Sequence, residues 1–121
     1  MNIEVYLLLW IQNFPRELRK PNTIVELNLR TNKLSSLSES FFQLTGLQTL
    51  SLGSNRFTSL PETIGNLVSL QKLYLEINQL TSLPASLLQL PNFKQLSVDS
   101  KLQTDSVVKQ LQTKGFEISF W

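Results

Sequence analysis

Apolar side chains return to the same place every 23 residues along this chain, and no other feature restricts its fold so strongly. One column reads Ile24, Leu47, Leu70, Phe93, the next Leu27, Leu50, Leu73, Leu96, and a third Leu29, Leu52, Leu75, Val98. Farther along each unit come Leu34, Phe57, Leu80, then Leu37, Leu60, Leu83, then Phe41, Ile64, Leu87, and finally Leu44, Leu67, Leu90. Such columns share one interior only if successive coils of chain stack on each other. A single coil buries too little apolar surface to offset the entropy of ordering its backbone. Stacking covers both flanks of each coil, and about three units is the minimum.

Within the unit, Leu-x-Leu has the period of a strand. It turns Leu27 and Leu29 inward and Asn28 outward. Asparagine recurs at Asn32, Asn55 and Asn78, where an apolar core residue would not serve. Its amide both donates and accepts, so it can satisfy backbone groups where the chain leaves the strand. Repeated at one offset, the three side chains form a ladder that holds the coils in line. Pro61 and Pro84 share a column, with Ser38 in that place in the first unit. The Pro-Glu-Thr-Ile and Pro-Ala-Ser-Leu segments suit a short helical or 3-10 turn with proline at its first position, on the outer side of the coil.

Nine columns agreeing over three units make a pattern, LxxLxLxxNxLxxLPxxIxxLxx, that resembles the leucine-rich-repeat family over residues 24 to about 101. It is most similar to short cysteine-free bacterial repeats and to Ras-group-like intracellular repeats. The resemblance implies an α/β fold: a right-handed solenoid with a concave parallel sheet and convex short turns. It also implies a non-catalytic protein-interaction module. One domain is expected over residues 1–121, with an N-terminal cap or degenerate repeat at 1–23, three full repeats at 24–92, and a partial repeat with a C-terminal cap at 93–121.

The pattern breaks after Val98, with Lys101 where asparagine would fall. Thr104 or Asp105 then offers an N-cap, Val107, Val108 and Leu111 share one helical face, and Gly115 can close the helix in a left-handed conformation. Phe116, Ile118 and Phe120 alternate as a strand, so a helix and one more parallel strand are expected to shield the last repeat, with Trp121 read as the natural terminus. At the other end two readings stand open. Phe14, Pro15, Leu18 and Ile24 repeat the spacing of Leu60, Pro61, Ile64 and Leu70, as in a half-repeat with Leu7 and Leu9 as its strand; the alternative is a capping helix over 3–12.

Composition narrows the chemistry. The chain has 121 residues, a net charge of +2, no cysteine and no histidine. Disulfide frameworks, the usual zinc sites, and Ser-His or Cys-His nucleophile pairs are therefore excluded. No cofactor and no metal ligand set is expected. The apolar stretch Val5–Ile11 is far shorter than a membrane span. It also lacks the basic start and the cleavage site of a signal peptide. No membrane or nucleic-acid partner is expected. The compartment stays unassigned, with the cytoplasm favoured because a chain without cysteine suits a reducing environment.

The outward positions of the sheet are the natural binding surface. They are mostly small and polar, the exceptions being Arg30, Lys72, Tyr74, Glu76, Ile77 and Asp99. Tyr74 with Ile77 reads either as a binding anchor or as a scattered exposed apolar pair. Glu76 and Asp99 are expected opposite each other on neighbouring strands, where they either receive a basic group or are neutralised by Lys72 or Lys101. Carbohydrate chemistry on that carboxylate pair, or a purely structural role as an end piece of a longer array, are the alternatives to an interaction module. Phe120 and Trp121 either fold back onto the cap or take part in an interface. Five strands about 4.8 Å apart give a concave strip of about 300–400 Å², against about 800 Å² per partner in a standard interface. Unpaired strand edges add a route to weak self-association, above all through the N-terminal apolar segment.

Overall fold

The computed structural model describes residues 24–121, so both readings of the N-terminal segment lie outside the described residues. Five strands, β1 (Glu26–Asn28), β2 (Thr49–Ser51), β3 (Lys72–Tyr74), β4 (Gln95–Val98) and β5 (Glu117–Phe120), form one sheet in the order β1-β2-β3-β4-β5. All neighbours are parallel, and Leu27, Leu50, Leu73 and Leu96 sit side by side. The last step is one residue shorter: Leu96 faces Ile118. That crossover also differs in kind. The first three cross through 3-10 turns at Glu39–Gln43, Glu62–Asn66 and Ala85–Gln89, whereas the fourth carries a short 3-10 turn at Ser100–Leu102 and the helix α1 (Ser106–Thr113).

The leucine columns form the core. Leu29, Leu52, Leu75 and Val98 are wholly shielded, as are Leu50, Leu73 and Leu96. Fully burying one such side chain contributes roughly 1.5–3 kcal/mol. Leu37 is the exception, half-buried where Leu60 and Leu83 are buried. The prolines sit one position earlier than expected: Pro61 and Pro84 precede the first residue of their turns with extended backbone, as Ser38 does. Their carbonyls accept from the Ile64 and Leu87 amides, which closes the tight turn. The Glu62 carboxylate then reaches the next coil and accepts from the Ala85 and Ser86 amides, at 2.9 and 3.1 Å. This bond ties the convex sides of neighbouring coils together.

The C-terminal cap follows its sequence signals. Asp105 is the N-cap, its side chain accepting from the Val107 and Val108 amides. Val107, Val108 and Leu111 are buried against the last repeat, and Gly115 takes φ +85° to reverse the chain into β5. Phe116 packs its ring 5.5 Å from that of Phe93. No helix among the described residues is long and apolar enough to cross a membrane.

Candidate functional site

The asparagine column does what its chemistry requires. The Asn55 carbonyl oxygen accepts from the Asn32 and Leu34 amides of the previous coil, at 3.0 and 2.9 Å. Its amide nitrogen donates to the carbonyls of Leu29, Leu52 and Gly53. Asn78 repeats the arrangement, accepting from the Phe57 amide and donating to Leu52 and Leu75. The side chain of Asn32, half-buried, donates to the carbonyl of Arg30 and to no other group among the described residues.

The fourth coil has no asparagine, and Asp99 takes over. Its two carboxylate oxygens accept from the Ile77 amide at 2.7 Å and the Asn78 amide at 3.1 Å. The two carboxylates expected opposite each other are thus engaged by separate partners. Asp99 is turned to backbone amides, and hydrogen bonds to a carboxylate are stronger than those between neutral groups. Alanine at Asp99 leaves one half-buried and one exposed amide without this acceptor, and the expected loss is about 1 kcal/mol in urea unfolding.

Glu76 meets a different partner from the lysines proposed for it. The Arg30 guanidinium on the first coil reaches its Oε1 at 2.8 Å. These residues lie two strands apart, on the order of 9–10 Å. Gly53 stands between them, and a Cβ built there would fall 2.5 Å from the Arg30 Nη1 and 2.7 Å from its Cζ. The guanidinium lies in the slot that the missing side chain leaves. Neutralisation by Lys72 or Lys101 is corrected accordingly: Arg30–Glu76 is the ion pair seen among the described residues. The Glu76 side chain is only 3% exposed and that of Arg30 33%. Glu76 Oε2 is buried and has no hydrogen-bond partner among the described residues. An unsatisfied buried acceptor costs about 1–3 kcal/mol, and a charged one more.

Around this pair the concave face sinks into a depression of about 470 Å³. Arg30, Tyr74 and Glu76 line it, joined by Ser51, Gln95, Ser97, Ser119 and Trp121. Lys72, Ile77 and Asp99 do not line it. Ser51, Tyr74, Ser97 and Ser119 belong together because they occupy one outward row across β2 to β5. Sequence reading passed over the serines for want of charge or bulk, although their column was legible. Trp121 had no such column. Instead of folding back it continues the β4–β5 ladder, its backbone donating to Val98 and accepting from Ser100, and the residue is 60% exposed. Ile77 stands outside the depression, 52% exposed and at φ +62°. The equivalent Thr31 and Ser54 share that left-handed conformation, so the backbone there imposes it whatever the side chain. A β-branched residue fits it worst. No group of three or more potential metal ligands occurs among the described residues.

Comparison with known proteins agrees with this geometry. A family model described as "Leucine rich repeat" matches residues 22–80. None of the curated proteins compared with the chain matches it. Among solved structures, an LRR protein of Leptospira interrogans is 36% identical with a TM-score of 0.73, over 89% of this chain and 28% of that one. The leucine-rich repeat domain of the type III effector XopL is 29% identical with a TM-score of 0.61, over 70% of this chain and 28% of that one. The chain therefore spans little more than a quarter of the length of either.

Proposed function

Because the chain belongs to the leucine-rich-repeat family, we propose that it is a non-catalytic module that holds a protein partner on its concave sheet face. The family generally mediates protein–protein contacts, and the depression around Tyr74 supports placing the partner on this face.

Ile77 carries the reading. An exposed isoleucine contributes little to the core, and its left-handed backbone costs about 1–2 kcal/mol. Stability alone favours asparagine or glycine there. Strain at an exposed apolar side chain is the kind of cost that a partner's contact explains. Tyr74 supplies an aromatic anchor on the strand just before it. The narrow strip alone falls short of a standard interface, so the partner must reach the rim at Ile77 and Trp121 to bind firmly.

Two measurements test this. Ile77→Asn is expected to raise stability by about 1 kcal/mol, several degrees in Tm, while weakening the partner complex. A photo-crosslinking residue at position 74 or 97, introduced in the source cell, is expected to give adducts of defined mass. The same residue at convex positions 66 or 89 is expected to give none. Equal labelling of both faces, or labelling of the convex face only, overturns the proposal.

A further inference from the structure

Arg30 and Glu76 line the concave depression, and each has hydrogen-bonding capacity that their ion pair leaves unused. The spare N–H groups of Arg30 belong to a side chain one-third exposed, so water can serve them. Glu76 Oε2 is buried and has no donor among the described residues. What the site lacks is therefore a donor, and a carboxylate oxygen prefers a charged one. Its surroundings favour the same ligand. Tyr74 and Trp121 offer aromatic surface to an aliphatic stem and a cation. The hydroxyls of Ser51, Ser97 and Ser119 line the same hollow and can accept further hydrogen bonds. An ammonium carries three donors on a compact head and needs several acceptors close together.

On the reading of the concave face as the partner's seat, we propose that this depression receives a lysine side chain of the partner, the Glu76 carboxylate turning so that Oε2 accepts from its ammonium while Arg30 keeps Oε1. Glu76 then lies between two cations, one of its own chain and one of the partner's. An acidic partner side chain on Arg30 is the opposite outcome, and the same experiment exposes it.

The test needs no knowledge of the partner. The isotope-labelled protein is titrated with Nα-acetyl-lysine methylamide and followed by the NMR signals of Tyr74, Ser97 and the Trp121 indole. Saturable shifts are expected with lysine. Its Nε-acetyl analogue, which keeps the stem but loses the charge, and Nα-acetyl-glutamate methylamide are expected to bind at least about tenfold more weakly. Glu76→Gln, which leaves an oxygen for Arg30, is expected to weaken the lysine response by a similar factor. Equal shifts with the acetylated analogue, stronger shifts with glutamate, or an undiminished response in Glu76→Gln each overturn the proposal. If that variant does not fold, the charged and acetylated probes on the wild-type protein decide the matter. Should the probes fail while cross-links stay confined to positions 74 and 97, only the lysine assignment falls and the concave-face reading stands.

Discussion

Alanine in place of Asn55 lowers the stability of the domain by about 3–4 kcal/mol, whereas alanine in place of Asn32 lowers it by less than about 1 kcal/mol. Both asparagines occupy the same column of the repeat. The difference lies in the hydrogen bonds that the two side chains make among the described residues. Asn55 is 8% exposed and makes five hydrogen bonds, to the Asn32 and Leu34 amides and to the Leu29, Leu52 and Gly53 carbonyls. The Asn32 side chain is half-buried and donates one among the described residues. Truncating Asn55 strands the buried Leu34 amide and the half-buried Asn32 amide, together with three carbonyls, and each buried orphan costs about 1–3 kcal/mol. Thermal unfolding followed by circular dichroism is expected to show a Tm lower by about 10–15 °C for Asn55→Ala and by a few degrees for Asn32→Ala. Comparable losses would mean that the interior amide is not what keeps neighbouring coils in register.

Methionine in place of Arg30 costs about 2–3 kcal/mol, and the origin of that cost can be isolated. Removing one member of a buried ion pair commonly costs 3–5 kcal/mol, because the other charge stays buried. Arg30 is one-third exposed, so water reaches part of the vacated space and the lower figure applies. If the penalty comes from the stranded Glu76 charge, then Arg30→Met combined with Glu76→Leu is more stable than Arg30→Met alone. Gly53→Val provides a third route that touches neither charge. Its Cβ takes the place of the Arg30 guanidinium, so the side chain must leave Glu76, and a loss similar to that of Arg30→Met is expected. Urea unfolding of the four proteins forms the comparison. A double variant no more stable than Arg30→Met would show that Arg30 contributes through packing over Gly53 and not through Glu76.

These two predictions differ in how far the sequence foretold them. The role of Asn55 follows from a polar residue that recurs where every neighbouring column is apolar, with a side chain able to donate and accept. The same reasoning found the inward leucines, the parallel order of the strands, Asp105 as a helix cap, Gly115 as its stop and the final strand. Repetition made these legible, since each unit states the same local preference again and stacking can satisfy all of them in one arrangement.

The candidate site was legible only in part. Arg30, Tyr74 and Glu76 stood out as large or charged among small outward residues, and the structure brings them to one depression. Their relation to one another was not visible. Glu76 pairs with a residue 46 positions away, across two strands, because the residue between them has no side chain. Asp99 closes the asparagine ladder from two places ahead of the expected position, and Trp121 reaches the concave side through a last step one residue shorter than the others. A column shows which side chains share a face and at what spacing, and so the sequence by itself determined the coil, its core and the register of its sheet. Which long side chain crosses to which partner depends on rotamers and on the space left by a third residue. Those are properties of the stacked coils together, and only the tertiary structure decided them.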